Sequence, residues 1–294
     1  MTTTTLTTPP TTTGTAQPAK RRKDVVASLV LHILLVAGLI AMIGPFIWML
    51  LSSLKQEVEI REVPPTWWPQ SPTFDNYRTV FDRLDFATYA VNSTVVALAI
   101  TAGNIIFCSA LGYALAKLDF PGRRILFGTV MGTLMVPGMA TFVPLFVLVS
   151  NLGLVNTYAG LILPFLVGAF GVFLMRQFIL SIPDDLLEAA RIDGAGELRI
   201  FWQVVLPLCR PALATLGILT FLSSWNNFLW PLVVATTEDM YTLPVGLALF
   251  SVGQDRTEYG PILAGAVVVV LPVLLIFIAL QRLFTRGIAT TGLK

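Results

Sequence analysis

Few residues in this chain are of types that do chemistry, and their spacing rules out most reactions. Histidine occurs once, at His32. With no second histidine or carboxylate near it, it reads as an interfacial side chain rather than a metal ligand or a general base. Cys108 and Cys209 lie in different apolar stretches, so the chain offers neither a disulfide framework nor a CxxC metal site. No lysine follows a glycine, which removes the Gly-Lys-Ser/Thr end of a phosphate-binding loop. Two stretches remain. One is the polar segment from Ser181 to Pro207, with Asp184, Asp185, Glu188, Arg191 and Asp193 around an Ala189-Ala190 pair. The other is Ser223-Ser224-Trp225-Asn226-Asn227, inside an apolar run. Adjacent amides in such a run are costly unless they find partners or a wet cavity. An indole beside two amides suits the CH faces and hydroxyls of a neutral sugar. The same residues also serve helix–helix hydrogen bonding and an aromatic belt.

The elements that must position these residues are membrane helices. Of 294 residues, 55% are hydrophobic and 12% charged, and the mean hydropathy is +0.78. Soluble domains carry about 25% charged residues. A soluble enzyme, a secreted disulfide scaffold and a disordered regulator are thereby excluded. Apolar runs at about 25–51, 90–116, 125–150, 157–180, 208–235 and 261–281 are each long enough to cross ~30 Å of hydrocarbon as a helix. They lack the alternation of barrel strands, so the expected fold is all-α with six transmembrane helices. Pro45, Pro137, Pro144, Pro164, Pro231 and Pro272 inside the runs call for a packed bundle whose neighbours satisfy the freed carbonyls. Residues 1–24, rich in Thr and Pro, read as a disordered tail, and residues 25–294 as the transmembrane domain.

Lysine and arginine set the orientation. Lys20 to Lys23, then Lys117, Arg123 and Arg124, then Arg176, Arg191, Arg199 and Arg210, and finally Arg282, Arg286 and Lys294 fall on one side. Lys55, Arg61, Arg78, Arg83 and Arg256 fall on the other. Both termini are therefore expected in the cytoplasm. No Asp, Glu, Lys or Arg occupies the central part of a span. Ion-coupled carriers commonly place charge there, so a self-sufficient secondary carrier is disfavoured, and uphill transport would draw its energy from a partner.

On the same side, Pro183 suits a first helical turn, Asp184 and Asp185 suit its positive end, and Gly194 suits its stop. A short helix results, with Ala189 and Ala190 thinning its surface for a partner's close approach. Leu198, Phe201, Trp202 and Val205 follow at helical spacing for the interface, and Leu206-Pro207 is expected to break the chain before the fifth span. By periodicity alone this helix reads equally well as a plain connector.

The segment resembles the EAA loop of permease subunits in binding-protein-dependent ABC importers. Glu188-Ala189-Ala190, Asp193-Gly194 and, after nine residues, Val204-Val205-Leu206-Pro207 follow that motif, with Val204 where the family has Ile. The resemblance covers about residues 25–294 and is nearest to the carbohydrate-uptake permeases, of the kind of the maltose permease G subunit. Ser52 to Lys55, Trp68-Pro69, Asn76-Tyr77, Ala116 to Gly122 and Trp225 to Phe228 carry it. It implies a permease that is not itself an enzyme and binds no cofactor, with ATP and magnesium used by the partner ATPase. It also implies four partners: a homologous second permease, two copies of a cytoplasmic ATPase, an external sugar-binding protein and the lipid bilayer, with no nucleic acid. Localisation would be the plasma membrane of a prokaryote. In the ATPase-coupling loop 181–207, Glu188 would meet a basic or polar group of the ATPase. Ala189, Ala190 and Gly194 would allow close approach, and Asp193 would hold the turn; Ala195, Leu206 and Pro207 complete the motif. Gly194→Trp would uncouple transport without harming insertion. Trp225, Asn226, Asn227 and Asn104 are the candidates for the substrate path. A permease of the same machinery moving glycerol phosphate or a related polyol ester is the alternative, disfavoured by the lack of a central Arg or Lys.

Overall fold

The structure is a computed structural model that describes residues 19–252 and 258–289. It is all-α, with no strand among the described residues. The chain divides into two compact units, residues 1–49 and 50–294. Helix α1 (Ala19–Ser53) begins inside the segment read as the tail; residues 1–18 lie outside the described residues. Its portion Ala27–Ser53 contains an 18-residue stretch of mean hydropathy 2.5 and is long enough to span a membrane. The His32 Nδ1 lies 2.6 Å from the Ser28 carbonyl oxygen one turn earlier, so its own helix satisfies the ring.

Within the second unit, α2 (Asp75–Arg83) leads into α3 (Phe86–Lys117), a 32-residue span whose most apolar 18 residues have a mean hydropathy of 2.0. Asp85 caps α3 by accepting from the Thr88 amide. Near its middle, Asn104–Cys108 form a π-helical turn. Three further apolar runs are broken rather than straight. Helices α4 (Arg123–Leu134) and α5 (Gly138–Asn151) meet at 104°. Pro137 lacks an amide donor and forces the preceding residue out of helical geometry, which accounts for the break. Helices α6 (Tyr158–Phe165) and α7 (Ala169–Leu180) meet at 42°, with the extended Gly168 (φ −103°, ψ 132°) between them. After α8 (Asp184–Ile192), α9 (Glu197–Leu208) and α10 (Arg210–Trp225) meet at 81° at Cys209. The break expected at Leu206-Pro207 thus falls just beyond it. The run 208–235 is itself interrupted after Trp225, resuming as α11 (Leu229–Val234). Helices α12 (Leu243–Val252) and α13 (Tyr259–Ala289) close the unit, the described apolar part of α13 being Tyr259–Leu275. Among the described residues, two helices are by themselves long and apolar enough to cross a membrane, and up to five spans result if each bent pair counts as one.

Packing is tightest where side chains vanish. A Cβ on Gly112 of α3 would lie 2.9 Å from the Arg176 backbone nitrogen and 2.9 Å from the Met175 Cβ of α7. Small residues permit such backbone approach between membrane helices. Around this crossing lies a core in which Leu187 of α8, Ile200, Phe201 and Val205 of α9, and Leu216 of α10 join Cys108, Leu115, Met175 and Ile179. Gly112→Val is expected to force α3 and α7 apart at a cost of about 1–3 kcal/mol. The check is thermal melting of the purified protein; an unshifted melting curve would disprove the crossing.

Candidate functional site: an anchored helix and a polar-walled cavity

Helix α8 presents two faces. Leu187 is 1% exposed and fixes the inner face to the core, where Ala190 and Ala195 also pack. Asp185, Glu188, Ala189 and Ile192 recur at helical spacing and are all exposed, Ile192 by 86%. The stop is a Schellman turn. The Ala195 amide donates to the Ala190 carbonyl and the Gly194 amide to the Arg191 carbonyl, each at 3.0 Å. Gly194 sits at φ +80°, a left-handed conformation that glycine adopts without cost. Asp193 precedes it as the capping residue, its amide donating to Ala189. In the following α9, the π turn Phe201–Val205 changes the facing. Phe201 and Val205 are buried, whereas Leu198 and Trp202 remain exposed. Leu206 is half-buried and Pro207 exposed.

Polar clamps hold α8 in place, and sequence reading passed over most of their members. The Lys117 ammonium at the end of α3 donates to the Ile182 carbonyl and to Asp184 Oδ1, both at 2.6 Å. Arg191 donates to Glu197 Oε1 at 2.8 Å, and the Tyr113 hydroxyl donates to Glu197 Oε2. In the sequence, Lys117 counts among the charges that set orientation and falls in the Ala116 to Gly122 stretch, while Glu197 drew no reading. Their partners lie 67 and 84 residues away in the chain. The Lys117 hydrogen bond, with its charge, holds the Asp184 carboxyl below the usual carboxylate range. The Arg191 hydrogen bond, then that of Tyr113, does the same for Glu197. A carboxylate whose pKa is lowered on folding stabilises the fold above its unfolded value of about 4 and loses that contribution as pH falls through the folded value. Acidification below about pH 4 is therefore expected to raise amide exchange in 184–195 before the core of α3 and α7 opens. Simultaneous loss of protection in both would count against these clamps.

The second candidate region is a cavity of about 380 Å³ between α3, the α6–α7 break and α10. Asn104, Thr220, Ser223, Ser224 and Asn227 supply its polar wall, with apolar residues such as Ile100 and Leu216 around them. Asn104 is 4% exposed and its amide is largely committed. It donates to the Phe165 carbonyl at 2.7 Å and to Ile100 at 3.1 Å, and accepts from the Gly168 amide at 3.1 Å. It bridges the π turn of α3 to the broken α6–α7 pair. Asn227 also lines the cavity. Trp225 does not: it stacks on Phe221 at 5.5 Å and its indole donates to the Val269 carbonyl at 3.0 Å. Asn226 donates to Leu222 one turn back and borders a different hollow, by α12 and α13. Of the four candidates, Asn104 and Asn227 thus line this cavity, and Trp225 and Asn226 do not. No cluster of three metal-ligating side chains occurs among the described residues.

Bent apolar helices packed around a cavity, with an amphipathic helix clamped at one end, define a polytopic membrane permease. Residues 108–290 match the family described as binding-protein-dependent transport system inner membrane component. The chain belongs to that family, and it is an inner-membrane transport permease, not an enzyme. It is 40% identical over 253 residues to the arabinooligosaccharides transport system permease protein AraQ of Halalkalibacterium halodurans, covering 85% of this chain and 90% of that protein. It is 33% identical over 264 residues to the sn-glycerol-3-phosphate transport system permease protein UgpE of Pectobacterium atrosepticum, covering 87% of this chain and 94% of that one. Among solved structures, a chain of a bacterial ABC transporter involved in the import of the acidic polysaccharide alginate superposes with a TM-score of 0.77 at 26% identity. That superposition covers 92% of this chain and 99% of the other.

Proposed function

We propose that this chain is one of two homologous permeases of an ATP-driven importer, taking up a sugar or oligosaccharide delivered by an external binding protein. Two copies of a cytoplasmic ATPase would use ATP and magnesium, and α8 is their docking element. In this reading residues 25–294 form the permease domain with six spans, both termini are cytoplasmic, and 181–207 is the coupling loop. The observation that carries it is the two-faced α8. Its inner face and both ends are fixed by Leu187, Lys117 and the Glu197 cluster, while Asp185, Glu188, Ala189 and Ile192 are left to a partner. A helix so clamped transmits a push instead of yielding to it.

The cavity supports a neutral substrate. Its polar wall is amide and hydroxyl, with Asn227 and Ser223 as the groups facing a solute and no Lys or Arg among its lining residues. Asn104 acts there as a support for the wall, and Trp225 as part of the core behind it. The 33% identity to a glycerol-phosphate permease keeps a polyol phosphate as the second reading; a phosphate group calls for cationic partners that this wall lacks.

Affinity purification from the native membrane in mild detergent tests the proposal, with mass spectrometry of the co-purifying chains. Recovery of an ATPase, a second permease and an exported binding protein is the expected result. That binding protein is then titrated with sugars and with glycerol 3-phosphate, where tighter binding of the phosphate would reverse the substrate assignment. Recovery of the chain alone, where a known importer stays intact, would overturn the assembly.

A further inference from the structure

A second, much smaller cavity lies behind the wall of the first, with Ile100, Ser224 and Asn227 common to both. It offers about 10 Å³ to the centre of a water-sized sphere, close to the least that holds one water. Two buried hydroxyls face it without a protein partner. Thr242 is 4% exposed and its Oγ1 makes no hydrogen bond; the Ser224 Oγ is likewise shielded and unpartnered. Buried polar atoms in folded proteins are almost always hydrogen-bonded to protein or to ordered water. Ser93 also lines the cavity; its Oγ accepts from the Leu243 amide at 2.8 Å, a bond that leaves its own proton unspent. Asn227 adds an amide group, one lone pair of which takes the Trp230 amide at 3.4 Å. Three parts of the fold converge here: α3 through Ser93, the end of α10 through Ser224 and Asn227, and the segment before α12 through Thr242.

We propose that this cavity is a binding site for one ordered water, held by Thr242 Oγ1 and Ser224 Oγ, which ties the break after α10 to the segment leading into α12. A site with two to four polar partners and room for one molecule has the properties of structural water sites. That segment is already knitted to α3, because Asn92 donates to the carbonyls of Asp239 and Tyr241 at 2.8 and 2.9 Å. The water adds the missing link from α10 and fixes the rotamer of Ser224. It thereby sets which polar groups the larger cavity presents, whatever solute that cavity takes.

The test uses the full-length chain in its native assembly. A structure in lipid nanodiscs at about 2 Å should reveal a solvent peak at ~2.6–3.2 Å from both hydroxyl oxygens; a map of that quality without the peak overturns the proposal. The variants T242V, S224A and the double variant give an independent sign. With a bridging water, each single variant melts at a lower temperature. The double variant then melts no lower than the worse single one, because either change releases the same molecule. With orphaned hydroxyls, each substitution removes an uncompensated polar atom, so melting temperatures hold or rise and the shifts add. That second pattern overturns the water site.

Discussion

Asn104→Leu is expected to remove a large part of the stability of the whole helix packing, although the side chain is small. The amide carries the bonds that join the π turn of α3 to the break between α6 and α7. Leucine leaves the Phe165 carbonyl and the Gly168 amide without their partner, and each buried orphan costs about 1–3 kcal/mol. Together that is about 2–6 kcal/mol, against a typical total of 5–15. Gly168→Ala probes the same knot from the other side, where the new Cβ would sit 3.1 Å from Asn104 Oδ1. Thermal melting and monodispersity in detergent read these effects. Wild-type melting for Asn104→Leu would show that the amide only lines the cavity.

Ala189→Trp is expected to have the opposite profile: an intact fold and a dead transporter. Ala189 is exposed on the face of α8 that carries Glu188 and Ile192. Because Ala189 is exposed, a larger residue there can extend into solvent, so stability should stay within about 0.5 kcal/mol of the parent. If a partner's groove grips this face, an indole prevents seating. The ATPase is then lost from the affinity-purified assembly, and uptake falls to background. Retention of the ATPase with full uptake would remove α8 as the docking element. Gly194→Trp is a less clean variant than it looks from sequence. There is open space around Gly194, yet its φ of +80° burdens any side chain with about 1–2 kcal/mol of backbone strain. Gly194→Ala separates that strain from steric exclusion.

How much of this was legible in the residues depends on the range of the interaction concerned. Helix α8 could be read almost to its ends, because Pro183, Asp184 and Gly194 act on their own neighbours. The long apolar runs were equally plain. Their bends were announced by Pro137 and Pro164, but a proline marks a break without setting its angle. The 104° turn between α4 and α5 follows from what packs on either side. The pair Trp225 and Asn227 shows the limit at the cavity. Two residues apart on a helix or its end, both border the small cavity, but only Asn227 reaches the larger one, while the Trp225 indole is bonded to Val269 of α13. Asn104 was legible only as a candidate for the substrate path, and not as a residue with backbone partners. Those partners belong to a broken helix 61 to 64 residues later. The Lys117 and Glu197 clamps are hidden for the same reason, since nothing local distinguishes them from solvated charges.

The core that runs from Leu187 of α8 through Cys108 and Met175 to Leu216 of α10 has a mechanical consequence. Leu216 and Gly171 also line the larger cavity, and a Cβ on Gly171 would meet Leu216 at 3.0 Å and the Cys108 sulfur at 2.8 Å. Close-packed interiors compress very little. A displacement of α8 therefore has no soft layer in which to dissipate before it reaches the cavity wall. In the proposed coupling the molecule would act along this line as a strut, with a stroke at the cavity set by the geometry of the bends and not by the stiffness of a spring.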